Sequence, residues 1–237
     1  MPDPVAGDHL AGGYFVARLP PGSPPWMPER LGVTRTISAS PELVHMFPTP
    51  SWANDFQALA SDFGLDPDER AAVGQSADDL LAAGAFGWPN VFFDLEDAQA
   101  FRDRYASRRD EIVVIGIGLR YEHAKQFLED IAVVNVDTGV AAVGRAGVTE
   151  LLERRVPLAD RGRTLGYELL GMDVPPLTSW AVNALPLLVH DRLTISVNEN
   201  GLIDSFQDAA RAAEFISSPD VPSEPFNWTP WLIVEYP

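Results

Sequence analysis

Glu111-Ile112-Val113-Val114-Ile115-Gly116-Ile117-Gly118 is the most apolar run in the chain, and its reading decides the fold. It is dense in β-branched residues and lacks polar alternation, which predicts a strand buried on both faces with other elements packed above and below it. Immediately downstream, Tyr121, Ala124, Leu128 and Ile131 recur at helical spacing, so a helix is expected to leave the strand. Upstream, Val91-Phe92-Phe93 reads as a short strand, and Asp94 reads as the cap of a helix that aligns Ala98, Phe101 and Tyr105.

The same alternation continues in both directions. Asp66-Pro67-Asp68-Glu69 combines a capping Asp, a first-turn Pro and a Glu at the third helical position. Gly74 is expected to interrupt that helix and Ser76 to restart it through Leu80 and Leu81. Before it, Ser51 heads a stripe of Trp52, Phe56, Leu59, Ala60 and Phe63 that stops at Gly64. Beyond the central strand, residues 131–136 and 140–143 suggest a hairpin turning on Asp137-Thr138-Gly139. Residues 148–155 read as a short helix, and 164–170, 193–197 and 231–236 as strands. Residues 204–216 read as a helix capped by Asp204, with Phe206, Ala209, Ala210, Ala213 and Ile216 on one face.

There is no internal repeat and no dividing linker. The expected architecture is a single α+β domain over residues 51–237, a central sheet flanked by helices. Residues 1–50 hold ten of the 21 prolines, clustered around Leu19-Pro20-Pro21-Gly22-Ser23-Pro24-Pro25. Proline fixes φ and lacks an N–H, so this part is expected to be an extended arm packed on the domain. Tyr14, Phe15, Trp26 and Met27 favour burial of that arm over display of Pro21-x-x-Pro24 as a polyproline ligand.

Composition narrows the chemistry. The chain has no cysteine, which excludes disulfides, thiolate metal ligands and cysteine nucleophiles. Lys125 is the sole lysine among 17 basic residues and follows no glycine-rich turn, so P-loop nucleotide chemistry is excluded and a lysine Schiff base disfavoured. A net charge of −17 repels phosphate backbones, and neither nucleic acid nor an anionic membrane is an expected partner. No apolar run approaches the roughly 18 residues of a membrane span. Met1-Pro2-Asp3-Pro4 has no basic region before an apolar stretch, so the cytoplasm is the expected location.

Each local motif is incomplete. Asp137-Thr138-Gly139 resembles the triplet of aspartic proteases, but that chemistry needs a second carboxylate sharing the proton, and a Gly-ended turn accounts for it. Gly116-x-Gly118 follows a strand as in dinucleotide sites, but Tyr121 stands where the third glycine belongs. Ser196-Val197-Asn198-Glu199-Asn200-Gly201 is a poor calcium loop and a good φ-positive turn before a helix. His9, His45, His123 and His190 show no metal-ligand spacing, so no metal and no cofactor are expected.

Two functional readings remain. Acidity, one domain and incomplete catalytic motifs suit a non-enzymatic interaction protein that binds a basic partner, with Phe226, Trp228, Trp231 and Tyr236 as candidate interface anchors. The same four residues suit a terminal strand locked to the core, and the core reading is preferred. Around Glu168-Leu169-Leu170-Gly171 and the Trp228–Pro237 end, the chain resembles bacterial immunity-type proteins in general appearance, with no motif matched residue by residue. The other reading is a small-molecule binder or enzyme whose site lies near the end of strand 112–118, with Arg120, Glu122 and His123 as candidate ligand-binding residues.

Overall fold

A computed structural model of the chain describes residues 6–19, 21–47, 65–87, 90–106, 112–138, 147–172, 177–182, 184–221 and 227–237. In chain order these form strand β1 (His9–Arg18), β2 (His45–Phe47), helix α1 (Pro67–Ala82), β3 (Phe86–Gly87), β4 (Val91–Phe92) and α2 (Leu95–Tyr105). Then come β5 (Ile112–Arg120), α3 (Tyr121–Thr138), α4 (Gly147–Glu153), β6 (Arg163–Met172), β7 (Leu177–Ser179), α5 (Leu185–Leu193), α6 (Phe206–Ile216) and β8 (Thr229–Tyr236). The fold is α+β, built on a single eight-stranded sheet in the order β3-β4-β1-β5-β8-β6-β7, with β2 also paired to β1.

The apolar run is the middle of that sheet, as its composition requires. β5 pairs with β1 on one side and β8 on the other, and alternate residues of these strands enter two separate cores. Tyr14, Val114, Tyr167, Val234 and Tyr236 pack with Val73, Phe101, Val189 and Ile216 from α1, α2, α5 and α6. Phe15, Ile115, Ile117, Trp231 and Ile233 pack with Phe127 and Leu151 from α3 and α4, and with Ile37, Val44 and Met46. Burial on both faces explains why β5 carries no polar alternation. Its glycines are spatial requirements: a Cβ on Gly116 would stand 2.8 Å from the Tyr236 ring, and one on Gly118 would stand 2.7 Å from Leu158.

Several local readings hold. Asp66 accepts from the backbone N–H groups of Asp68 and Glu69 while the Glu69 carboxylate accepts from that of Asp66, closing the expected capping box. Asp94 caps α2, and Asn200-Gly201 is a turn with Gly201 at φ 78°. Others are corrected. α1 runs through Gly74 without a break, its cap and the burial of Val73 and Ala77 outweighing the roughly 1 kcal/mol that an interior glycine costs. Residues 131–138 continue α3 instead of forming a hairpin strand, because each further helical residue adds a backbone hydrogen bond to a nucleus already formed. Leu193 ends α5, and Thr194 at φ 58° closes that helix, so residues 193–197 are not a strand. Ser205, not Asp204, caps α6 by accepting from the Asp208 N–H. The helix expected from Ser51 to Gly64 and the segment 140–143 lie outside the described residues.

Within residues 1–50, which the sequence assigns to an extended arm, His9–Arg18 form β1, one of the central strands of the sheet. The described residues after the proline run lie on the body of the protein. The Trp26 indole donates to the Ala181 carbonyl at 2.7 Å, and the Ile37 N–H donates to the Asn200 carbonyl. Arg30 meets Asp191 at 2.8 Å, and Arg35 meets Glu235 on β8 at 3.1 Å. Among the described residues no helix is long and apolar enough to cross a membrane.

Candidate functional site

β5 passes into α3 without a loop, so Arg120 is the last residue of the strand and Glu122 and His123 lie in the first helical turn. The three predicted ligand-binding residues are thereby brought together. Arg120 Nε lies 3.3 Å from a Glu122 carboxylate oxygen, and His123 Nε2 lies 3.7 Å from the same oxygen. Phe206, the first residue of α6, joins them: the Arg120 guanidinium stands 4.3 Å from the centre of its ring, and the His123 ring centre is 5.4 Å away. Tyr167 packs edge-on against Phe206, and its hydroxyl is 3.4 Å from His9 Nε2. Gly118 permits that approach, since a Cβ there would stand 3.0 Å from the Cβ of His9. Burial pushes the Tyr167 phenol up to about 12, opposed by the positive charge of Arg120.

His123 also opens onto a groove of about 310 Å³ between α3, α6 and the start of β8. From α3 come His123, Gln126, Phe127 and Asp130, spaced i, i+3, i+4 and i+7 on one helix face. From α6 come Phe206, Ala210, Ala213 and Glu214, again a single face, with Ser217 at the C-cap of that helix. Residues 227–230 close the end, Trp228 among them. The two helices belong to opposite layers of the fold, as Phe127 joins one core and Ala213 the other. They meet at the end of the sheet, and the space exists because Ala210 and Ala213 face it with methyl groups only. Phe127 is steadied from beneath by an edge-on contact with Trp231 at 5.1 Å.

The electrostatics of the groove are one-sided. Asp130 and Glu214 line it, and among the described residues no Lys or Arg does. The nearest cations on the same helices are engaged with acids of their own, Lys125 with Glu129 at 3.5 Å and Arg211 with Asp208 at 3.2 Å. The Gln126 side-chain amide donates to one Asp130 oxygen at 2.8 Å, fixing that carboxylate at the rim.

The four predicted interface anchors divide. Trp228 lines the groove although only 5% of it is exposed. Trp231 and Tyr236 are interior, the first against Phe127 and the second donating its hydroxyl to the Ala159 carbonyl at 2.7 Å, so neither offers a surface to a partner. Phe226 lies outside the described residues. Sequence reasoning missed Asp130 and Glu214. Their signal was the spacing that sets each on the same helix face as a residue already singled out, His123 for one and Phe206 for the other.

One buried carboxyl stands apart from the groove. Glu168 on β6 is 1% exposed and lies beneath the segment that carries Ser38 and Ala39. The Ser38 hydroxyl donates to one carboxyl oxygen and the Ala39 N–H to the other at 2.9 Å. Burial pushes this carboxyl up to about 7, only partly offset by hydrogen bonds from Ser179, Ser38 and Ala39. The calcium-loop segment is a hydrogen-bonded turn: Asn198 donates to the Leu165 carbonyl and to Asp204, and accepts from the N–H groups of Asn200 and Leu202. Among the described residues no three His, Asp or Glu side chains gather to hold a metal ion. Comparison with protein-family models, with curated proteins and with solved structures finds no match for this chain.

Proposed function

We propose that this chain is a non-enzymatic, immunity- or inhibitor-like interaction protein of the bacterial cytoplasm that binds a basic protein partner, and that the groove between α3 and α6 is its contact face. The observation that carries the reading is the pairing of Asp130 and Glu214 with an aromatic lining in a groove that, among the described residues, no Lys or Arg lines. A chain of net charge −17 draws a basic partner into encounter, and a desolvated aromatic centre with polar margins supplies the affinity. Nucleic acid is not the partner in this reading, because phosphate binding needs Lys and Arg where the groove has carboxylates.

The test is affinity capture at low salt by the wild-type protein and by the double variant Asp130→Lys/Glu214→Lys. The expected result is a basic protein held at stoichiometric level by the wild type, released as ionic strength passes about 0.1 M, where the screening length falls to about 10 Å. The double variant should retain none of it. Equal retention by both proteins, or none by the wild type, would refute the assignment of this face.

A second reading has its own observation, the contact of Arg120, His123 and Tyr167 with the Phe206 ring. A small anionic molecule or an enzyme substrate could use Arg120 and His123 together. Thermal-shift screening of small carboxylates against the wild type and Arg120→Ala tests it. Stabilisation confined to the wild type would favour this reading over the interaction protein.

A further inference from the structure

Resting on the interaction reading, we infer that the group entering the groove is an arginine side chain of the partner. Three observations select it. The groove offers a guanidinium many acceptors at once: carboxylates from Asp130 and Glu214, amide oxygens from Gln126 and Asn227, and hydroxyls from Ser217 and Thr229. Five forked N–H donors match such a set, whereas an ammonium is a compact, strongly hydrated point charge. Glu214 makes no hydrogen bond or ion pair among the described residues, so an acid is available without breaking an existing contact. Finally, the protein already holds a guanidinium against this aromatic patch, since its own Arg120 lies 4.3 Å from the centre of the Phe206 ring. Arginine is weakly hydrated and stacks on aromatic faces, so its methylene stem packs along Trp228 and Pro230 while its head meets the rim. The volume of about 310 Å³ is at the small end of ligand sites and suits one long side chain better than a helix.

The probes are three blocked tripeptides, acetyl-Gly-Arg-Gly-amide and its Lys and Gln counterparts, titrated into the full-length ¹⁵N-labelled protein at low salt. The Arg peptide should give saturable amide shifts confined to α3, α6 and residues 227–230. The Lys peptide should bind about threefold or more weakly, and the Gln peptide not measurably. Asp130→Asn/Glu214→Gln should weaken the Arg peptide about tenfold, and Ala210→Leu, which fills the groove and leaves both charges in place, should do the same. Unchanged melting temperatures exclude misfolding as the cause. Equal binding of the Arg and Lys peptides, or shifts located elsewhere, overturns the inference. If the peptides fail while the charge-reversed variant still loses its captured basic protein, the arginine assignment falls and the interaction reading stands. If capture fails as well, both fall.

Discussion

Replacing Glu168 by glutamine should remove most of a pH dependence that the wild-type fold carries. The carboxyl is interior, accepts from Ser38 and Ala39, and is pushed by burial from its ordinary 4.5 to about 7. The folded state therefore holds the proton more tightly than the unfolded chain does. The stability this group contributes is full below about 4.5 and is lost as pH rises through about 7. At 1.36 kcal/mol per pH unit, the loss between pH 5 and pH 9 is roughly 2–3 kcal/mol, which is about 5–10 °C in melting temperature for a domain of this size. Glutamine keeps the shape and an oxygen for the Ala39 N–H, and its NH₂ can donate to the Ser38 hydroxyl, yet it does not titrate. Urea unfolding of both proteins from pH 5 to pH 9 reads the difference directly, because every other titrating group is common to the two. The variant should gain on the wild type as pH rises from 5 to about 7 and keep that gain, without adding to it, up to pH 9. A difference that stays flat to within about 0.5 kcal/mol would mean that Glu168 is not desolvated in the folded protein, and the argument would fail.

Two further predictions concern the scaffold. Gly116→Ala places a methyl 2.8 Å from the Tyr236 ring and 3.1 Å from that of Tyr14, in a sheet interior with no room to relax. It should cost about 1–3 kcal/mol by chemical denaturation, and a loss below about 0.5 kcal/mol would show that the two rings yield freely. Thr194 holds φ 58° at the end of α5 and is exposed, so Thr194→Gly relieves a β-branched residue of a left-handed conformation without removing packing. It should raise stability by up to about 1 kcal/mol, and a destabilised variant would refute the strain reading.

The acid-rimmed groove also rationalises a cost built into the chain. A net charge of −17 repels itself in the compact state, and the structure offsets part of it locally. Burial alone would raise the Glu235 carboxyl, yet Arg163 and Arg35 on either side outweigh it and hold that group below the usual range. Asp130 and Glu214 have no such cation beside them among the described groove residues.

Much of the fold was legible in the sequence where the signal is local. The capping box at Asp66 and the cap at Asp94 are written in consecutive residues, and the apolar run of β5 declares burial on both faces. The errors arise where local preference and tertiary context disagree. Residues 131–136 are rich in β-branched side chains (Ile131, Val133, Val134 and Val136) and look like a strand, but they extend a helix already under way. Thr194-Ile195 looks extended, but Leu185 and Val189 anchor the preceding segment to the core as helix, and Thr194 must close it. Of the candidate site, the sequence by itself placed Arg120, Glu122 and His123 within four positions between a strand and a helix, and the structure brought their side chains together by running the strand straight into the helix. The sequence also determined the acidity and the chemistries closed to a chain without cysteine. Only the tertiary structure decided that Trp231 and Tyr236 turn inward and that Phe206, 86 positions beyond Arg120, comes to lie beneath its guanidinium. It likewise decided that Asp130 and Glu214 share one groove. Those outcomes depend on which strands pair and which helices meet at the end of the sheet, and such long-range pairing leaves no periodic mark in either segment alone.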